Sequence, residues 1–291
     1  REVNTFTTEN SLAARFLATD TRARNRIDMQ LIHVASASLN QTPLAWDVNK
    51  ANILEAIKQA KQQKVSILCL PEMCITGYGC EDAFQAPGML RTAEDMLQDI
   101  LPHTSGLIVA MGLPRMYRGG LFNTCCLMAD AEIVGFAAKQ NLAGAGVHYE
   151  PRWFQAWPSG TTGDIEFAGD TYPIGDLLFD CGGVKIGFEI CEDAWTAKRP
   201  GRELSRAGAD ILLNPSASHF AFGKQEIRRR LVREGSRSFG VSYIYANLLG
   251  NEAGRVIYDG GSLIASGGKI VAEGKRFSFE DVQLVTATID L

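Results

Sequence analysis

Three side chains in this sequence sit where chemistry is possible: Glu72, Lys139 and Cys191. Each closes an apolar, strand-like run. Leu68-Cys69-Leu70-Pro71 leads into the acid, Val134-Gly135-Phe136-Ala137-Ala138 into the amine, and Ile186-Gly187-Phe188-Glu189-Ile190 into the thiol. In α/β sheets the C-terminal strand ends are where sites are built. Read singly, each is an ordinary charge just past a strand, or a cysteine packed at a strand tip. Read jointly, the three relieve one another, because an isolated ammonium or carboxylate at a buried strand end is costly and a mixed cluster is not. Behind the thiol the chain turns acidic at once, with Glu192-Asp193-Ala194-Trp195, as expected where a buried strand stops at a sharp bend.

The chemistry of such a cluster is specific. A thiol is a modest nucleophile at its ordinary pKa of about 8.5, and an adjacent carboxylate can take its proton as attack proceeds. Attack on an amide or nitrile carbon creates a negative oxygen or nitrogen that a fixed ammonium and a backbone N–H can hold. Ammonia leaves, a thioester remains, and water activated by the same glutamate releases the acid. This reaction needs no metal and no organic cofactor.

The elements that must position these groups follow from the hydrophobic pattern. Strands are expected at 31–37, 65–70, 107–112, 122–128, 132–138, 184–190, 210–213, 241–247, 262–265, 270–272 and 284–288. Helices are expected at 47–63, with Asp47 as N-cap and an apolar face of Ile53, Leu54, Ile57 and Ala60, and at 92–101, 203–207 and 224–239. Residues 140–182 read as an irregular Gly/Pro-rich region. The alternation implies an α/β fold with a mixed sheet, two sheets face to face and helices outside. Residues 29–291 read as one domain. Residues 1–28 read as an N-terminal extension or arm, and Arg1 marks the chain as processed or partial.

Composition narrows the function classes. With 291 residues, 46% hydrophobic and 21% charged, the chain has the makeup of an ordered globular protein. A net charge of −4 argues against nucleic acid or an anionic membrane as the main partner. No apolar run approaches the roughly 18 residues of a membrane span. Seven cysteines without a CxxC pair read as reduced thiols of a cytoplasmic protein, with neither a disulfide framework nor a zinc site. His33, His103, His148 and His219 show no metal-ligand spacing. Arg228, Arg229, Arg230 and Arg233 share one helix, which reads as solvated or facing a second subunit, so a homo-oligomer is expected.

The order Glu72, Lys139, Cys191 resembles the Glu-Lys-Cys triad of the nitrilase (carbon–nitrogen hydrolase) superfamily. The flanking words narrow the resemblance: Leu70-Pro71-Glu72-Met73-Cys74-Ile75-Thr76-Gly77-Tyr78-Gly79-Cys80, then Arg152-Trp153-Phe154, Glu189-Ile190-Cys191-Glu192-Asp193-Ala194-Trp195, Asn214-Pro215-Ser216-Ala217-Ser218 and Tyr258-Asp259-Gly260. Together, over about residues 29–291, they are similar to the glutaminase domains of the glutamine-dependent NAD⁺ synthetases. The resemblance implies a four-layer α-β-β-α sandwich. It implies Cys191 as nucleophile, Glu72 as general base, Lys139 with the Glu192 N–H as oxyanion stabiliser, and Glu150 as a second glutamate that orients the lysine and the attacking water. Tyr78, Glu192, Ser218 and Trp195 would bind the substrate, with Arg152 and Trp153 shaping the pocket rim. Glutamine would be the substrate, and an ATP-dependent synthetase domain or subunit a possible partner.

Two features depart from that pattern. No phosphate-binding SGGxDS word is present, so the chain reads either as the ammonia-generating half or as a free-standing relative with its own substrate. Residues 140–149 lack the Leu-Pro that ordinarily follows the lysine. Two other readings therefore stand beside glutamine hydrolysis: an amidase for another small amide or nitrile, and a catalytically silent module that binds a partner.

Overall fold

The computed structural model describes residues 5–7, 30–252 and 254–291. Apart from the short strand β1 (Thr5–Thr7), the expected N-terminal arm lies outside the described residues. The first sheet is built from β2 (Leu31–Asn40), β3 (Ile67–Cys69), β4 (Ile108–Tyr117), β5 (Gly120–Ala129), β6 (Glu132–Ala138), β7 (Thr162–Phe167) and β8 (Asp170–Gly175). The second contains β1, β9 (Leu178–Cys181), β10 (Val184–Phe188), β11 (Ile211–Ser216) and β12 (Ser242–Glu252), followed by β13 (Val256–Asp259), β14 (Leu263–Ser266) and β15 (Lys269–Glu273). The last strand, β16 (Val282–Asp290), returns antiparallel to β2. Pairing is continuous because the far half of β12 reaches β2, Asn247 opposite Ser38 and Leu249 opposite Asn40.

Period-two alternation separates the apolar residues into layers. Val34, Ile67, Cys69, Ile211, Leu213 and Ile244 meet in a cluster between the sheets. Their neighbours Ala35 and Leu68 face α1 (Trp46–Gln62) and α2 (Pro87–Ile100). Leu212 and Tyr243 face α3 (Gly201–Arg206) and α4 (Lys224–Phe239). The result is helix, sheet, sheet, helix. A buried leucine or isoleucine in such layers contributes about 1.5–3 kcal/mol, so the inter-sheet cluster is what fixes the two sheets against each other.

Several sequence expectations are revised. Asp47 lies in the first turn of α1, while the N-cap is Ala45. The acid therefore complements the helix dipole without capping. Helix α2 begins at Pro87, where a proline suits the first helical position. The stretch 140–182 holds three strands. The β7–β8 hairpin turns through Ala168 and Gly169, both at positive φ (53° and 91°), a primed turn that lacks the usual Asn-Gly signal. Among the described residues no helix is long and apolar enough to cross a membrane.

Candidate active site

Strand β3 stops at Cys69, and the chain turns through Pro71 to bring in Glu72, which is fully buried. That turn packs on the backbone of β4 at Gly112. A Cβ there would sit 2.3 Å from the Met73 nitrogen and 2.8 Å from the Glu72 carbonyl carbon, so only glycine fits. Lys139 follows β6 directly and is buried with Glu72. Its ammonium lies 2.6 Å from Glu72 Oε1 and 2.8 Å from Glu150 Oε1. Asn123, in the wholly buried strand β5, donates its Nδ2 to the same two oxygens, at 2.7 and 3.0 Å. The outer oxygens are also engaged: Ala217 N–H donates to Glu72 Oε2 at 2.8 Å, and Ala143 N–H to Glu150 Oε2 at 2.6 Å.

The same contact closes the loop over the site. Glu150 N–H donates to the Ala143 carbonyl at 3.0 Å, while its carboxylate accepts from the Ala143 N–H. This reciprocal pair holds a loop whose sequence lacks the expected Leu-Pro.

Cys191 comes from the other sheet. It follows β10 and begins a short turn, Cys191–Trp195, with φ at +45°. A non-glycine residue there carries backbone strain, which the surroundings must hold in place. Asp193 does so. Its Oδ2 accepts from Ile190 N–H at 3.0 Å, and its Oδ1 accepts from the backbone N–H groups of Gln140 and Asn141 at 3.1 and 2.7 Å. One carboxylate thus ties the cysteine bend to the residues immediately after Lys139. Behind the bend, buried Glu189 accepts from Arg199 Nη2 and Tyr243 OH, both at 2.6 Å.

Electrostatics distinguish these groups. Burial pushes the Cys191 thiol up to about 12; Glu72 adds to this, and Lys139 and a hydrogen bond from the Ala217 backbone oppose it. At neutral pH the group is therefore a thiol rather than a thiolate. Burial likewise raises the Glu72 carboxyl, against the pull of Lys139, and makes it a stronger base. Burial alone would lower Lys139, but Glu150 and Glu72 hold it well above the ordinary lysine value, so it stays charged. An ammonium has three protons. Two go to the glutamates and one remains for a developing oxyanion.

Among the other sequence-predicted residues, Tyr78 is half-buried. The Tyr78 ring packs edge-on against His148 at 5.5 Å and against Tyr258 at 6.3 Å. Ser218 is buried, its N–H bonded to Asn247 Oδ1 at 2.8 Å and its hydroxyl accepting from Arg228 Nε at 3.3 Å. Glu192 and Trp195 are half-buried. Trp153 helps line a small recess with Tyr78, His148 and Tyr258. Arg152 forms an exposed fork on Asp82, at 2.7 and 2.8 Å.

Sequence reasoning missed several members. Asn123 could have been noticed as a buried amide, with Thr124 beside it, in an otherwise apolar strand. Arg228 was expected at the surface, yet it is buried, with Nη1 on Asp259 at 2.8 Å and Nη2 on the Ser218 and His219 carbonyls at 2.7 and 2.8 Å. Lys224, one turn earlier on α4, faces the site too. Its Nζ lies 5.6 Å from the Trp195 ring centre, and no carboxylate among the described residues is within ion-pair distance. Burial lowers its pKa, and the neighbouring Cys191 opposes that shift. Among the described residues no group of three or more His, Cys, Asp or Glu could hold a metal.

A two-sheet sandwich with two glutamates, a lysine and a strand-end cysteine in one buried cluster defines a class, and the chain belongs to it: the carbon–nitrogen hydrolase family, whose profile matches residues 33–291. Within that family it is similar to glutamine-dependent NAD(+) synthetases. It is 35% identical to the one from Saccharomyces cerevisiae over 272 residues, covering 90% of this chain and 38% of the relative. The crystal structure of the one from Cytophaga hutchinsonii superposes with a TM-score of 0.84 at 48% identity, over 89% of this chain and 43% of that one. An amidase of the nitrilase superfamily from Nesterenkonia, at 20% identity and a TM-score of 0.70, shares the fold over 89% of this chain and 90% of its own. The chain thus spans about two fifths of the synthetases it matches.

Proposed function

We propose that this chain hydrolyses the side-chain amide of glutamine to glutamate and ammonia through a thioester on Cys191, and that the ammonia serves NAD⁺ synthesis. The observation that carries the reading is the buried cluster in which Lys139 and Asn123 donate to Glu72 and Glu150 beside a neutral thiol.

In this reading Glu72 takes the thiol proton as sulfur bonds to the amide carbon. The carbonyl oxygen becomes an oxyanion against the third proton of Lys139 and the Glu192 N–H. The proton on Glu72 passes to the leaving nitrogen, and ammonia departs. A water, oriented by Glu150 and deprotonated by Glu72, attacks the thioester. Glutamate leaves, and the proton returns to sulfur. For the substrate head, Glu192 is the partner of the α-ammonium and Lys224 of the α-carboxylate, with Tyr78, Ser218 and Trp195 shaping the space between. A zwitterion needs one fixed charge of each sign, and the approach offers both. This favours an amino acid over a simple amide or nitrile.

The proposed partner is an ATP-dependent NAD synthetase domain or subunit, as the names of the relatives suggest. Assembly into a homo-oligomer is also proposed, with support from fully exposed Phe222 and Phe279. Light scattering of the purified protein tests that assembly. Seven free thiols accord with a cytoplasmic setting.

The test of the activity is mass spectrometry of the protein incubated with glutamine, propionamide and a small nitrile. A glutamyl adduct on Cys191 and release of ammonia from glutamine are expected. An adduct from another amide alone would favour the general amidase, and no adduct from any would favour the silent module.

A further inference from the structure

Two histidines that the proposed reaction does not use lie beside Tyr78 and Lys224. His148 comes from the loop over the site, and His219 from the segment after β11. His148 Nε2 lies 2.8 Å from His219 Nδ1, and the same His219 nitrogen lies 3.3 Å from Lys224 Nζ. The ring centres are 4.8 Å apart.

Proton bookkeeping fixes how these groups are arranged. An ammonium only donates. His219 Nδ1 must therefore be bare to accept from Lys224, with its hydrogen on Nε2. That bare nitrogen also faces His148 Nε2, which must then carry the hydrogen and donate. The opposite arrangement would aim a His219 N–H at the ammonium. Each ring is held neutral: burial pushes both down to about 4, helped at His148 by the facing His219 ring and at His219 by Lys224 and Arg228. Neither histidine therefore competes with Lys224 for an anion. The Trp195 ring also lies against the ammonium, 5.6 Å from its centre, and the ammonium has no carboxylate within ion-pair distance among the described residues.

We propose that His219 and His148 are positioning residues that aim the Lys224 ammonium at the substrate α-carboxylate and couple that contact to closure of the loop over the site. The coupling is geometric: the loop contributes His148, His148 contributes the hydrogen that orders His219, and His219 orders the lysine. The Tyr78 ring also packs edge-on against His148. The inference rests on the glutamine reading above.

The experiment is steady-state hydrolysis of glutamine and of propionamide, which has no head group, by the wild type and by His219→Ala, His219→Gln, His148→Phe, Lys224→Met and the His219→Ala/Lys224→Met double variant. Loss of a hydrogen bond to a charged group predicts a KM for glutamine raised roughly tenfold in His219→Ala and His148→Phe. The change is expected in KM rather than kcat, with turnover of propionamide and alkylation of Cys191 by iodoacetamide following the wild type. His219→Gln keeps an acceptor and should recover most of the loss. In the Lys224→Met background, His219→Ala should add nothing. Unchanged KM in His219→Ala, parallel losses on both amides, or additive losses in the double variant would each overturn the positioning role. A wild type that acylates Cys191 from propionamide but not from glutamine would instead remove the glutamine reading, and this inference with it.

Discussion

Two lysines flank the same thiol and live under opposite conditions. Burial pushes both toward the neutral form. Lys139 is rescued by two carboxylates at 2.6 and 2.8 Å and ends far above its ordinary pKa. Lys224 has no carboxylate within reach among the described residues, touches the His219 ring, lies over an indole face, and ends below its ordinary value. In the proposed reading the difference separates chemistry from recognition. A group that must hold charge through every turnover is neutralised by the protein itself. A group that must bind an anion is left short of one. Their locations agree: Lys139 follows a strand whose neighbours are fixed by ladder hydrogen bonds, and Lys224 begins a helix after a left-handed Gly223.

The sharpest way to break this comparison is to remove each amine in turn. Lys139→Met leaves Glu72 and Glu150 buried without a cation, and such unpairing costs about 3–5 kcal/mol. Loss of a preorganised oxyanion donor should also lower turnover by roughly 10³-fold. Urea unfolding and glutamine hydrolysis measure the two effects. Lys224→Met should do the reverse. Its KM for glutamine rises by about tenfold or more, as for a lost charge-assisted hydrogen bond, while stability holds or improves because no partner is orphaned. If the methionine variant at position 224 unfolds as easily as that at 139, the contrast is wrong.

The acid response sharpens the comparison further. Unfolded, His148 and His219 take up protons near 6.5; folded, they resist until about 4. Between those values the unfolded chain binds more protons. Their contribution to stability is therefore full above about pH 6.5 and is lost as pH falls toward 4. Thermal midpoints measured from pH 7 to 4 should fall, and His148→Phe combined with His219→Ala should flatten the slope. Removal of a surface pair gives the smallest effect. Arg152→Ala breaks an exposed fork on Asp82 and should leave both the thermal midpoint and turnover unchanged. A drop in turnover there would place Arg152 at the pocket rim.

The acid, amine and thiol were legible because they interrupt apolar runs at strand ends, where a charge has to be explained. The residues that hold them were not. Asn123 acts on two carboxylates and Asp193 on backbone groups, all distant in sequence, and no local pattern records that Asp193 reaches back to Gln140 and Asn141. Arg228 misled for a physical reason: charges on a helix usually face water, and only its partner Asp259, thirty-one residues on, makes burial tolerable. The four layers were anticipated from alternation and resemblance. Strands β7–β9 were not, because glycine and proline obscure the alternation and the hairpin turns without its usual dipeptide.

The seam between the sheets has a further consequence. Glu72, Lys139 and Asn123 belong to one sheet, Cys191 and Ala217 to the other, and the bonds from Ala217 to Glu72 and from Gln140 and Asn141 to Asp193 are stitched across the gap. Neither sheet carries a working fraction of the machinery. A slip of one layer over the other by a single residue would separate the proposed base, Glu72, from the proposed nucleophile, Cys191. Activity in this chain is therefore a gauge of the alignment of the sandwich, and it should vanish at the first loosening of that alignment, before either sheet melts.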